Sequence, residues 1–256
     1  MRTIHYFGIS MGLVIFFGAG CAGQSGSVSS IIDQRAAAPS STKTITEGCP
    51  AYAKVVSSTA ANLSSCFFYI NPKLPAYEFR LHTAPLAKKD TIILIDAIDV
   101  IPVGAAAATQ VLTADPAESP LDGANSSYLN VEDLNFDGYK DLELLSSQGA
   151  TGNTVFIVWL FNPKLSAFVS NETLSNLMNP VPDPKTKTIK SFSNSSAADW
   201  SQQTYAWKDE RLVLVHEVIQ SYEYASETVS CTTSEYSNGK KVKTVKINEG
   251  CPESSN

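Results

Sequence analysis

Asp133, Asn135 and Asp137 alternate with Leu134 and Phe136, and Gly138 follows directly. This is the first half of a calcium loop, in which positions one, three and five supply side-chain oxygens and a glycine at six lets the chain turn back. Tyr139 falls at position seven, where the backbone carbonyl is the donor, and Asp141 at position nine, which binds the ion directly or through a water. Leu144 stands at position twelve in place of the bidentate glutamate of an EF-hand, and Glu143, one residue short of that position, is a possible further ligand. Three carboxylates and an amide gathered around one point repel one another unless a cation sits between them. The competing reading is a solvated acidic turn between strands. A bound ion here is expected to be structural, because catalysis by calcium needs an open coordination site beside a nucleophile and a base, and the neighbouring residues offer neither.

The flanks of this loop are not helical. Residues 142–145 continue it as an apolar strand pattern and residues 128–131 precede it as another, so the loop sits in a β context. Its D-x-N-x-D-G-x-x-D-L form is similar to the calcium loops of dockerins, thrombospondin-type repeats and FG-GAP blades. Elsewhere, short apolar or alternating runs separated by turn residues predict strands over 66–70, 77–82, 91–100, 111–113 and 155–161. Further strands are predicted over 187–193, 203–207, 211–222, 227–236 and 240–247. Asn238-Gly239 is a type I′ hairpin signal, and the 208–210 link suggests a second hairpin. One helix is expected over 172–178, ended by Asn179-Pro180, with Pro182 and Pro184 holding the next residues in an extended turn. The expected fold is mainly β: a single antiparallel, sandwich-like domain over 48–256 with one or two short helices and the EF-hand-like loop.

The chain begins with Arg2, an apolar stretch over 6–17 and small residues up to Cys21, which is the layout of a secretory signal peptide over 1–20. The apolar stretch is too short to remain as a membrane span. Gly18-Ala19-Gly20-Cys21 resembles the lipobox of bacterial lipoproteins, with Gly18 where leucine is favoured. The resemblance implies lipidation of Cys21, and Ala22 after it implies anchoring to the outer membrane, facing the periplasm. Cutting at a plain A-x-G site is the alternative. Residues 21–47, rich in Ser, Ala and Gly, read as a flexible tether with a reach of roughly 25 to 30 Å. The other four cysteines, Cys49, Cys66, Cys231 and Cys251, are an even set in an oxidising compartment and predict two disulfides. Three pairings are possible; Cys49 with Cys66 and Cys231 with Cys251 give the shortest loops.

The net charge of −6 is dispersed, and the lysines over 240–246 lie in a strand pattern, so nucleic acid is not an expected partner. No G-x-S-x-G, H-E-x-x-H, P-loop or dinucleotide fingerprint occurs. His82 and His216 each fall in a strand pattern, which suits a surface or half-buried residue better than a catalytic one. The chain reads as a binding protein, not an enzyme. Paired carboxylates of a glycosidase are a remote third reading.

The run VEDLNFDGYKDLELL, then Gly149-Ala150-Thr151-Gly152-Asn153, VWLFNPKLSAFV, Leu177, Asn179-Pro180, Lys190-Ser191-Phe192, YAW and ERLVLV resembles a group of periplasmic lipoproteins. These are immunity proteins against lysozyme-like effectors of bacteria-killing type IV secretion systems, similar in fold to the inhibitors of invertebrate-type lysozymes. The resemblance implies a calcium-loaded β protein that plugs the active-site cleft of a peptidoglycan hydrolase. The polar loop 146–154 suits such plugging, since its two glycines allow close approach to a groove wall and its amides can donate to carboxylates. Ser147, Gln148, Gly149, Ala150, Thr151, Gly152 and Asn153 are therefore the expected partner-binding residues, with Tyr128 and Tyr139 as possible aromatic anchors. An ordinary hairpin loop is the competing reading of the same residues. The alternative function is a calcium-dependent adhesion or envelope-scaffold lipoprotein of FG-GAP-like type, which the presence of a single calcium loop argues against.

Overall fold

The alternating runs fold as strands, arranged as three antiparallel meanders in chain order. The computed structural model describes residues 45–49, 62–84, 92–120 and 128–252, all within one unit, Thr44–Asn256. The signal sequence 1–20, the lipidation site Cys21 and most of the tether 21–47 lie outside the described residues. The first sheet comprises β1 (Asn62–Tyr69), β2 (Ala76–Ala84), β3 (Ile92–Pro102) and β4 (Gln110–Pro120). The second comprises β5 (Leu129–Glu132), β6 (Asp141–Gln148), β7 (Thr154–Asn162) and β8 (Ala167–Ser170). The third runs in order through β9 (Val181–Asp183), β10 (Thr188–Asn194), β11 (Trp200–Lys208), β12 (Arg211–Glu223), β13 (Thr228–Ser237) and β14 (Lys240–Ile247).

The second sheet carries a core on each face. Leu142 and Leu144 of β6, with Trp159 and Phe161 of β7, pack against Tyr77, Phe79 and Leu81 of the first sheet. Phe168 of β8 closes this core with edge-on aromatic contacts at 5.7 Å to Phe79 and 5.2 Å to Phe161. On the opposite face Val158 packs with Leu134, Leu174, Leu177 and Ile189, joined by Tyr205 and Trp207 of the third sheet. Burial on both faces explains why 142–145 lacks clean apolar–polar alternation.

Several elements differ from the sequence expectation. Helix α1 is only Glu172–Ser175: Asn171 caps it by accepting the Leu174 N–H at 2.9 Å, and Asn176 ends it by donating to Glu172 O at 3.1 Å. Met178 leaves the helix to bridge Val155 of β7. Residues 181–183, expected as a turn, form the edge strand β9 through Pro182 and pair with 188–190; an edge position tolerates a residue without an N–H. The short β8 has no counterpart in the sequence reading. Both expected hairpins form, and the 208–210 link turns through Asp209 and Glu210 at positive φ, +48° and +61°. The disulfides are Cys49–Cys66 and Cys231–Cys251, the pairing with the shortest loops. No helix of the described residues is long and apolar enough to cross a membrane.

Candidate functional site

The acidic loop joins β5 to β6. Its backbone reverses through Phe136 at φ +60° and Gly138 at φ +87°, and a chain with no Cβ at 138 makes the second of these without strain. The side chains fold over the turn. Asp133 accepts the Asp137 N–H at 3.1 Å through Oδ1 and the Gly138 N–H at 2.9 Å through Oδ2. Asn135 Oδ1 accepts the same Asp137 N–H at 3.1 Å, and its Nδ2 donates to Asp137 Oδ2 at 3.1 Å. Asp137 Oδ1 accepts the Tyr139 N–H at 2.8 Å. Asp133, Asn135 and Asp137 are thereby drawn together.

Asp141 does not join them. It is fully buried and turned inward, with Oδ2 accepting the Leu134 N–H and Oδ1 the Phe161 N–H, both at 2.8 Å. It ties the loop to the end of β7. Burial pushes its carboxyl up to about 7 against the pull of those two amides, and Asp137 and Asp133 push it further. Glu143 lies two residues on, 4 % exposed, with Oε1 lacking a hydrogen-bond partner. Burial, then Glu132 and Asp141, raise it to about 7 as well. Among the described residues no three His, Cys, Asp or Glu side chains are gathered as a metal site. The donor set the loop does offer is two carboxylates, the Asn135 amide oxygen and the Tyr139 carbonyl, all hard oxygens of the kind calcium takes.

The two tyrosines expected as partner anchors serve the core instead. Tyr128 is 5 % exposed, its hydroxyl 4.0 Å from Cys66 Sγ. Tyr139 is half-buried and stacks on Phe161 at 5.4 Å. An open groove of about 440 Å³ flanks the acidic loop, walled by Asn135, Asp137, Lys164, Trp207 and Glu210; Trp207 Nε1 donates to Leu134 O at 2.8 Å.

The expected partner loop is the tip of the β6–β7 hairpin. Ser147 and Gln148 still belong to β6, and Gln148 pairs with Thr154. The turn itself is closed by Gly149 N–H to Asn153 O at 2.7 Å and Gly152 N–H to Gly149 O at 3.0 Å. Ser147, Gln148, Gly149, Ala150, Thr151 and Gly152 are exposed. Asn153 is not presented to a partner. Its Nδ2 donates to Asn194 O at 2.8 Å while its Oδ1 accepts the Asn194 N–H at 2.9 Å. Asn179 supports it from below, accepting the Thr154 N–H at 2.9 Å and donating to Phe192 O at 2.7 Å.

Those bonds bring up a second loop that the sequence reading missed, between β10 and β11. The Ser195 and Ser196 N–H groups donate to Asp199 O at 2.9 and 3.1 Å, and Ser196 Oγ donates to Asp199 Oδ2 at 2.6 Å. Asp199 also accepts the Tyr222 N–H at 2.7 Å; these bonds, Ser196 first, hold its carboxyl below the usual range. Gln220 of β12 donates to Ala198 O at 3.1 Å and accepts the Cys251 N–H at 3.0 Å, linking this loop to the second disulfide. The run SNSSAAD, dense in turn-forming Ser, Asn and Asp, was the local signal for it.

No protein-family model matches the chain, and no curated protein matches it. Among solved structures it is similar in fold to one described as a Xanthomonas type IV secretion system related protein. The two share 19 % identity with a TM-score of 0.52, over 71 % of this chain and 97 % of that one.

Proposed function

We propose that this protein binds and inhibits a lysozyme-like peptidoglycan hydrolase, as an immunity protein held at the periplasmic face of the outer membrane through lipidated Cys21. The observation that carries this reading is the exposed hairpin tip over Ser147, Gln148, Gly149, Ala150, Thr151 and Gly152, uncharged and, Gln148 apart, made of small residues on a chain of net charge −6. A glycosidase cleft is lined by catalytic carboxylates. An acidic surface would be repelled there, whereas backbone amides and hydroxyls donate to carboxylates. The fold likeness to a protein related to type IV secretion agrees with this setting, and the two disulfides suit an oxidising compartment. The protein performs no bond-breaking step of its own: it occupies the cleft.

Calcium has a supporting part in this reading. Asp133, Asn135, Asp137 and the Tyr139 carbonyl would hold the ion and fix the base of β6, the strand that presents the tip. With only two carboxylates, the affinity belongs with extracellular modules, a Kd on the order of 10⁻⁴ to 10⁻³ M. At calcium 100-fold above that Kd the ion adds about 2.7 kcal/mol of stability, and a chelator lowers the melting temperature by roughly 5 to 10 °C. Asp137→Ala melts at the lower temperature with or without chelator. Identical wild-type melting curves in calcium and in chelator would remove the ion from the account.

The inhibition test uses the purified mature chain against chicken-, goose- and invertebrate-type lysozymes and any hydrolase encoded beside it. Near-equimolar suppression of muramidase activity is the expected result. No suppression anywhere in that panel overturns the reading.

A further inference from the structure

We propose that the hydrolase-binding surface is a two-loop tip, in which the 195–199 loop stands beside the 149–153 turn as a second contact element and Asn153 is the residue that locks the two together. This deepens the inhibitor reading above and rests on it.

Asn153 and Asn194 exchange two hydrogen bonds, side-chain amide to backbone in both directions, at 2.8 and 2.9 Å. That is how one strand pairs with another, here made by a single side chain, and it fixes both the spacing and the orientation of the two loops. The locking side chain is itself held: Asn179 Nδ2 lies 3.3 Å from Asn153 Oδ1, while Asn179 Oδ1 takes the Thr154 hydroxyl at 2.7 Å. Asn153 therefore acts through the loops it holds and is a positioning residue.

The outer residues of both loops share one chemistry. Ala150, Thr151 and Gly152 on one side and Ser195, Ser196 and Ala197 on the other are exposed, small and uncharged. The one ionisable group of the second loop, Asp199, is committed to Ser196 and to the Tyr222 N–H. A shallow cleft of about 400 Å³ separates the loops, lined by Thr151, Asn194, Ser196 and Ala197. Two narrow fingers with a gap between them, whose single carboxylate, Asp199, is turned back onto Ser196 and the Tyr222 N–H, match a carboxylate-lined groove whose wall enters the gap. Two loops set at a fixed distance also lose little conformational freedom on docking, which favours affinity.

Two bulky surface substitutions test this, each measured against whichever lysozyme of the panel the wild-type protein inhibits most strongly. Thr151→Trp probes the first loop and Ala197→Trp the second. Each is expected to raise the inhibition constant by about 30-fold, the effect of losing one hot-spot contact, with an unchanged melting temperature. Asn153→Ala is expected to raise it about tenfold and, without any partner present, to speed amide exchange in residues 149–153 and 194–199 together. A weakened Thr151→Trp with a fully potent Ala197→Trp overturns the second loop and leaves the inhibitor reading standing. Faster exchange in only one of the two loops of Asn153→Ala overturns the lock. Absence of inhibition by the wild-type protein overturns both readings.

Discussion

Asp141 and Glu143 stand two residues apart on β6, and their partners separate their roles. Asp141 receives two amide N–H groups at 2.8 Å and so repays part of its burial; Glu143 Oε1 receives none. Both carboxyls are pushed up to about 7, from ordinary values of 3.8 and 4.5. A folded-state value above the unfolded one means that the folded chain binds protons which the unfolded chain has released. The stability these groups contribute is thus complete below about pH 4 and is lost as pH rises from there to about 7. Glu143→Gln removes one of the two charges at nearly constant shape. In chelator it is expected to stabilise the protein by about 2 to 3 kcal/mol at pH 8 and to have little effect at pH 4, read from urea midpoints across that range. A variant whose midpoint follows pH as steeply as the wild type would show that Glu143 is not a buried acid in solution.

At the scale of elements, the edge strand β8 is four residues long and pairs with β7 on one side only. Its other side is met by a side chain: Gln110 Nε2 donates to Phe168 O at 2.7 Å, and Gln110 Oε1 accepts the Phe168 N–H at 2.9 Å. Gln110 begins β4, so this amide adds a polar tie between the first sheet and the second beside their shared apolar core. Gln110→Ala is expected to cost about 1 to 3 kcal/mol and to speed amide exchange at Phe168 before the neighbouring strand β7 responds; unchanged exchange there would leave the docking to packing alone. The same strand shows why parts of the fold were illegible. Its four residues are too few to show an alternation, and although its ladder partner β7 directly precedes it, the side chain that satisfies its outer edge comes from 58 residues earlier. The Asn238-Gly239 hairpin, both of whose residues take positive φ, was legible because it is written in adjacent residues. Direction was not. Asp141 points inward because the Phe161 N–H, 20 residues on, awaits it, and Asn153 because Asn194 does. Pro182 misled in the opposite sense, since a residue that breaks a central strand is harmless on the free side of β9.

Taken whole, the chain braces its two-loop tip from both ends. Asp141 ties the acidic loop and the start of β6 to the end of β7, at the base of the hairpin that carries 149–153, and Gln220, which holds Ala198 O and the Cys251 N–H at once, ties 195–199 to the C-terminal disulfide. Strand β14 itself gains little from packing: seven of its eight residues are exposed, and Lys240, Lys241, Lys243 and Lys246 along this outer edge discourage pairing with another chain. What keeps the C-terminal segment in place is the β13 ladder and the Cys231–Cys251 bond, whose loop of 20 residues is worth about 3 kcal/mol by the entropy of the chain it closes. Replacing both cysteines by serine should therefore do more than lower the denaturation midpoint by that amount. With Cys251 unanchored, Gln220 loses the N–H that orients it, and the second loop must be ordered on binding. Ordering one or two side chains costs about 0.5 to 1.5 kcal/mol each, so inhibition is expected to weaken by roughly three- to tenfold, with faster exchange in 195–199 and an unaltered response to chelator. Full potency in the serine pair, with 195–199 exchanging as in the wild type, would show that the disulfide secures β14 alone and that the second loop stands on Asn153 and Asp199 without help from the C-terminus.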